Sequence, residues 1–151
     1  MSDIRLTLPD GSVREMPAGT TARELAASIG PGLAKAALVA RVDGQLRDLD
    51  RPIEADASVA LLTDRDPEAL EVLRHSSAHI LATAVRELFP GAGIGFGPPI
   101  EDGFYYDFQV DRPFTPEDLE RIQARMVEVA RRDDPFAREV VDRAAANARF
   151  A

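Results

Sequence analysis

The chain has 151 residues, 45% of them hydrophobic, enough for one ordinary domain or two small ones with packed cores. It contains no cysteine, which excludes disulfides, thiolate metal sites and a cysteine nucleophile within this stretch. A formal net charge of −8, with no dense basic run, argues against autonomous binding of a phosphate backbone, so any nucleic-acid role must rest on local contacts or on partner domains.

The first element is Ile4-Arg5-Leu6-Thr7-Leu8, whose period-two alternation predicts a half-buried strand. Asp10-Gly11 predicts a tight hairpin turn at positive φ, with the return strand over residues 13–16. Thr21-Ala22-Arg23-Glu24 has the spacing of a capping box, so a short helix starts there, buries Leu25 and Ile29 and stops at Gly30-Pro31. Residues 37–42 form a more continuously apolar strand, Asp43-Gly44 marks a second hairpin, and residues 58–62 close the segment. Strand, strand, helix, strand and closing strand within about 60 residues is the order of a β-grasp (ubiquitin-like) domain, an α+β solution in which a helix covers one face of a small mixed sheet. The charged, proline-ended Asp64-Arg65-Asp66-Pro67 reads as a solvated linker, placing the first domain at 1–63, the linker at 64–67 and a second segment at 68–151.

The second segment opens with a helix over residues 68–89. On a 100° wheel Leu73, Ile80, Leu81, Ala84, Val85 and Leu88 form its apolar stripe, while His75 and His79 lie near the opposite side beside Ala82 and Arg86. Residues 91–99 read as a flexible connector. Residues 100–110, with Phe104-Tyr105-Tyr106-Asp107-Phe108, read as an aromatic strand in which one of the two tyrosines faces the core and the other is exposed. Thr115-Pro116-Glu117-Asp118 starts another helix, continued by Leu119, Ile122, Met126 and Val129 and ended by Pro135. A strand over 138–141 and an unfinished helix over the last ten residues complete the reading.

His75 and His79 are the only histidines, and four residues apart on a helix they point at one spot. A metalloprotease motif needs glutamate directly after the first histidine, and Ser76 stands there. A two-histidine, one-carboxylate iron site with Glu71 fails too, because Glu71 and His79 are about 12 Å apart along the axis. The pair can supply two metal ligands only if a third comes from elsewhere; two ordinary surface histidines is the competing account. Gly93-Ile94-Gly95 with Gly97 is no dinucleotide loop, since Pro98 holds the third glycine position and a helix precedes it.

Taken together, the β-grasp order, His75-Ser76-Ser77-Ala78-His79, the run from Gly97-Pro98-Pro99-Ile100 to Phe108, Phe114-Thr115-Pro116-Glu117-Asp118-Leu119 and Pro135-Phe136 resemble the N-terminal region of bacterial threonyl-tRNA synthetases. The resemblance implies a TGS domain followed by the first part of an editing domain, a long histidine-bearing helix packed on an antiparallel sheet. It implies that the parent family, class II synthetases, charges tRNA(Thr) with threonine using ATP, and that this region serves proofreading by hydrolysing seryl-tRNA(Thr). It places His75 and His79 in the editing cleft as catalytic residues and Tyr106 in the same cleft as a substrate-binding residue, with no metal. The family's further cleft residues, a cysteine among them, fall beyond residue 151, so at most half a cleft, inactive alone, is expected. No cofactor is implied here; ATP, Mg and Zn belong to a catalytic core outside this stretch. The implied partners are tRNA(Thr), held weakly at best by this region alone, and the remaining synthetase domains, in a homodimeric parent. No apolar run reaches membrane-spanning length and Met1-Ser2-Asp3 is no signal peptide, so the expected location is cytoplasmic, with no membrane partner. A non-catalytic module for the tRNA acceptor arm and a free-standing editing hydrolase are the alternatives.

Overall fold

Alternation sets the first sheet. In β1 (Asp3–Thr7) Ile4 and Leu6 are buried and their neighbours exposed, the pattern of a strand with one face on a core. The computed structural model, which describes residues 2–135 and 137–150, pairs β1 antiparallel with β2 (Val13–Pro17). Their turn differs from the expected one. Leu8 and Ser12 close a three-residue loop in which only Gly11 takes positive φ, while the Asp10 carboxylate accepts hydrogen bonds from the Ser12 backbone and hydroxyl.

After β3 (Thr20–Thr21), helix α1 (Ala22–Ile29) begins with the expected capping box between Thr21 and Glu24. Leu25 is fully buried, but Ile29 is 36% exposed, so only the first of the two anticipated anchors reaches the core. α1 ends at Gly30 as expected, but a second helix follows at once. Pro31 occupies the first turn of α2 (Pro31–Ala36), a place where its missing N–H costs nothing.

β4 (Ala37–Val42) and β5 (Gln45–Arg47) form the second hairpin, with both Asp43 and Gly44 at positive φ as a two-residue turn of this kind requires. β6 (Pro52–Ile53) pairs with β3, and β7 (Ala57–Thr63) enters the main sheet between β1 and β4. The five-stranded order is β2-β1-β7-β4-β5, with β1 and β7 parallel and the other pairs antiparallel, the mixed sheet of a β-grasp fold. One face, carrying Leu6, Ala40, Val42 and Val59, packs on Leu25 and Ala26 of α1. The other face of β4 and β7, carrying Val39 and Leu62, packs on Ala69 and Val72 of the next helix. Burial on both faces explains why these two strands read as apolar runs rather than as strict alternation.

That helix, α3 (Pro67–Leu88), follows β7 through a turn closed by Asp66 N–H to Thr63 O and Thr63 N–H to the Asp66 carboxylate. Arg41 on β4 also reaches Glu68 in its first turn. Further along, Ala84 and Val85 pack on Ile122 of α4 (Pro116–Arg131), with Leu81, Leu88, Phe89, Phe108, Phe114 and Met126 around them. Leu73, expected in the same stripe, is 45% exposed, because α4 crosses only the C-terminal half of α3.

The aromatic stretch is not one strand. β8 (Gly93–Ile94) pairs with β11 (Phe108–Gln109), and β9 (Pro99–Ile100) pairs with β10 (Gly103–Phe104), so residues 105–107 are an irregular link between two small antiparallel ladders. α4 begins at a capping box in which Thr115 and Asp118 bond reciprocally, and ends at Arg131, ahead of Pro135. No strand forms over 138–141, where no neighbouring strand offers a partner among the described residues; α5 (Arg143–Phe150) supplies the expected terminal helix. Phe136, part of the resemblance, lies outside the described residues.

Candidate functional site

Helical spacing brings His75 and His79 together on the exposed side of α3. Their Nε2 atoms are 2.9 Å apart and their ring centroids 4.7 Å apart, in an edge-on arrangement. A hydrogen bond at this distance requires one ring to donate from Nε2 and the other to accept there, so the two imidazoles form one unit through which a proton can pass. Among the described residues no third histidine or carboxylate joins them in a cluster of metal-binding type.

His79 also lines a cleft of about 520 Å³, with Ala82, Thr83, Arg86 and Glu87 on the helix and Ile94 and Tyr106 opposite. This volume suits a small organic ligand. His75 reaches the cleft only through its contact with His79. The helix face that carries the pair is thus not bare: Ala78 and Ala82 beside it are buried, and β9 and β10 lie against α3. Small side chains at 78 and 82 permit this close approach.

Tyr106 is the half-buried one of the two tyrosines and Tyr105 is 47% exposed, so one ring faces in and the other out as expected, although no strand runs through them. Its ring stacks on Phe108 at 5.0 Å between centroids and 18° between planes. Its other support is Gly97. A Cβ there would lie 2.5 Å from Tyr106 Cγ and 2.6 Å from Cε2, so only a glycine admits the ring. Gly95 plays the same part against the backbone, its N–H donating to Asp107 O at 2.9 Å and a Cβ falling 2.6 Å from that oxygen. Residues 93–97 are therefore not a flexible connector. They are extended chain with one face stripped of side chains at 93, 95 and 97, so that residues 106–109 can lie against it. The signal was present in the sequence as glycine at every second position.

Charge around the cleft is arranged. Arg132 donates two hydrogen bonds, at 2.6 and 2.8 Å, to the Glu87 carboxylate, and Arg125 stands 3.6 Å from it. The Arg132 hydrogen bonds, and then the two guanidinium charges, hold Glu87 below the ordinary glutamate range. Arg86, next to it in sequence and lining the cleft, has no ion-pair partner among the described residues.

A β-grasp sheet that runs directly into a histidine-bearing helix defines the class, and residues 4–63 match the TGS domain family. The N-terminal part of the chain is a TGS domain. Nearly the whole chain, in turn, matches the N-terminal region of threonine–tRNA ligases. It is 58% identical to that of Maricaulis maris (strain MCS10) over 97% of this chain and 23% of the relative. It is 56% identical to that of Rhodospirillum rubrum over 97% of this chain and 23% of the relative. With the ligase of Burkholderia multivorans the identity is 56% over 93% of this chain and 22% of the relative. The chain thus spans about a quarter of the length of these relatives. Among the described residues no helix is long and apolar enough to cross a membrane.

Proposed function

We propose that this chain acts as the N-terminal region of a threonine–tRNA ligase and carries the histidine wall of a site that hydrolyses the ester of tRNA(Thr) mischarged with serine. The observation that carries the reading is the His75–His79 unit, bonded through Nε2 at 2.9 Å and opening on the cleft that Tyr106 lines. In the reaction a water attacks the ester carbonyl and loses a proton to an imidazole; the ribose oxygen leaves and takes a proton back. Two hydrogen-bonded imidazoles can hold both protons close to the reacting atoms, which is what general acid–base catalysis requires. Tyr106, fixed between Gly97 and Phe108, presents its hydroxyl and ring edge as a wall for the aminoacyl group. Threonine differs from serine by one methyl, and a pocket that fits serine closely rejects the cognate ester by clash, as double-sieve editing needs. In the parent ligase, tRNA and the remaining synthetase domains are the partners on this reading, and aminoacylation belongs to those other domains.

The test is binding of a stable amide analogue, 3′-serylamino-3′-deoxyadenosine, followed through the imidazole carbon resonances of the chain. The seryl analogue is expected to shift both histidines, and the threonyl analogue to bind about tenfold or more weakly, the discrimination one extra methyl gives in a tight pocket. Equal binding of the two, or shifts absent from both histidines, refutes the reading.

A further inference from the structure

Arg86 stands out among the charges of the cleft because no carboxylate pairs with it among the described residues. On a helix of 3.6 residues per turn it projects between His75 and His79, about 20° from each, and about 10 Å further along the axis from His79. Helical side chains lean toward the N-terminus, so the long Arg86 side chain leans back toward the histidines rather than away from them. It lines the same cleft as His79 and Tyr106. The nearest carboxylate in sequence, Glu87, is already held by Arg132 and Arg125. The Thr83 hydroxyl, the other polar group on this side, donates to His79 O.

We propose that Arg86 is the phosphate-binding residue of this site, gripping the 5′-phosphate of the terminal nucleotide whose 2′- or 3′-ester lies at the histidine pair. The inference rests on the hydrolytic reading above and adds to it the residue that sets how far the nucleotide slides into the cleft. The chemistry fits. A guanidinium presents a planar fork of donors to phosphate oxygens, and one nucleotide's sugar spans the interval between its ester oxygen and its phosphate. It also answers the charge problem. A chain of net charge −8 cannot attract a polyanion at long range, but one unpaired cation inside a cleft can fix a single phosphate.

The experiment compares the seryl amide analogue with and without a 5′-phosphate, by titration calorimetry on the wild-type chain and on Arg86→Ala, Arg86→Lys and His79→Ala. The 5′-phosphate is expected to tighten binding about tenfold in the wild type, the scale of one charge-assisted hydrogen-bonded contact. Arg86→Ala abolishes that gain, so that the two analogues bind the variant equally; Arg86→Lys keeps part of it. His79→Ala weakens both analogues by the same factor. Arg14→Ala, on the exposed face of β2, controls for general charge and leaves the gain intact. A phosphate gain that survives Arg86→Ala, or that is missing in the wild type while the unphosphorylated analogue still binds, overturns the role of Arg86 and spares the hydrolytic site. Failure of both analogues to bind the wild type overturns the two readings together.

Discussion

Gly97→Ala tests the architecture of the cleft at its tightest point. The added methyl would sit 2.5 Å from Tyr106 Cγ and 2.6 Å from Cε2, and nearer still to Cδ2. Ordinary carbon contacts are about 3.5–4.0 Å, so the ring must retreat by about 1 Å or more. Cγ is the root of the ring, so no rotation of a flexible tip relieves the clash. Phe108 stacks on the ring, and Phe108 in turn packs against Phe114. Overpacking of this kind costs about 1–3 kcal/mol. The chain has no tryptophan and only two tyrosines, so in a Tyr105→Phe background the tyrosine band of the near-UV circular dichroism, distinct from the phenylalanine fine structure, reports Tyr106. The expected result is a loss of that tyrosine signal and a lower urea midpoint for the transition it follows, with affinity for the seryl analogue reduced in step. A Gly97→Ala chain that keeps the near-UV band and unfolds within about 0.5 kcal/mol of its parent would refute the packing argument.

Two further outcomes follow from packing and charge. Asp118, almost fully buried, has its carboxyl held at about 2, against an ordinary 3.8, by the Arg112 guanidinium first and then the Thr115 backbone N–H. A depressed carboxyl stabilises the fold above its unfolded value and loses that contribution as pH falls from about 4 toward 2, so urea midpoints should drop across this window and Asp118→Asn should flatten the part that reports α4. Ala69, fully buried between Val39, Leu62 and Val72, leaves no room for growth. Ala69→Leu is expected to destabilise by about 1–3 kcal/mol by thermal or chemical unfolding, whereas Leu73→Ala, one turn on and half exposed, should cost far less.

What could be read from the sequence was what short range decides. The Thr21–Glu24 box, the Asp43-Gly44 turn and the start of α4 each carry their own hydrogen-bond chemistry within four residues, and each forms as expected. Proline misled where it has two uses: Pro31 ends α1 and also begins α2. The exposure of Leu73 and Ile29 depends on which neighbouring element arrives over them, and periodicity cannot supply that. The stretch at 138–141 has strand-prone residues but no partner strand among the described residues, and pairing is what makes a strand. In the cleft, the histidine pair was legible from its spacing, and Tyr106 was placed there by family resemblance. The glycines at 93, 95 and 97 were visible but misread as freedom, because what they make room for, Gln109, Asp107 and the Tyr106 ring in turn, lies further along the chain.

The turn between Thr63 and Asp66 makes the TGS sheet the footing of a lever. α3 leaves the sheet with its first turn seated on Val39 and Leu62, and His79 stands about 18 Å along it from Pro67. A tilt of about 5° at the footing would swing the imidazoles by about 1.5 Å, which is enough to spoil alignment with a ligand in the cleft. Whatever load the sheet bears is therefore felt at the histidines, and substitutions on the TGS side of the joint can displace them without touching a cleft residue.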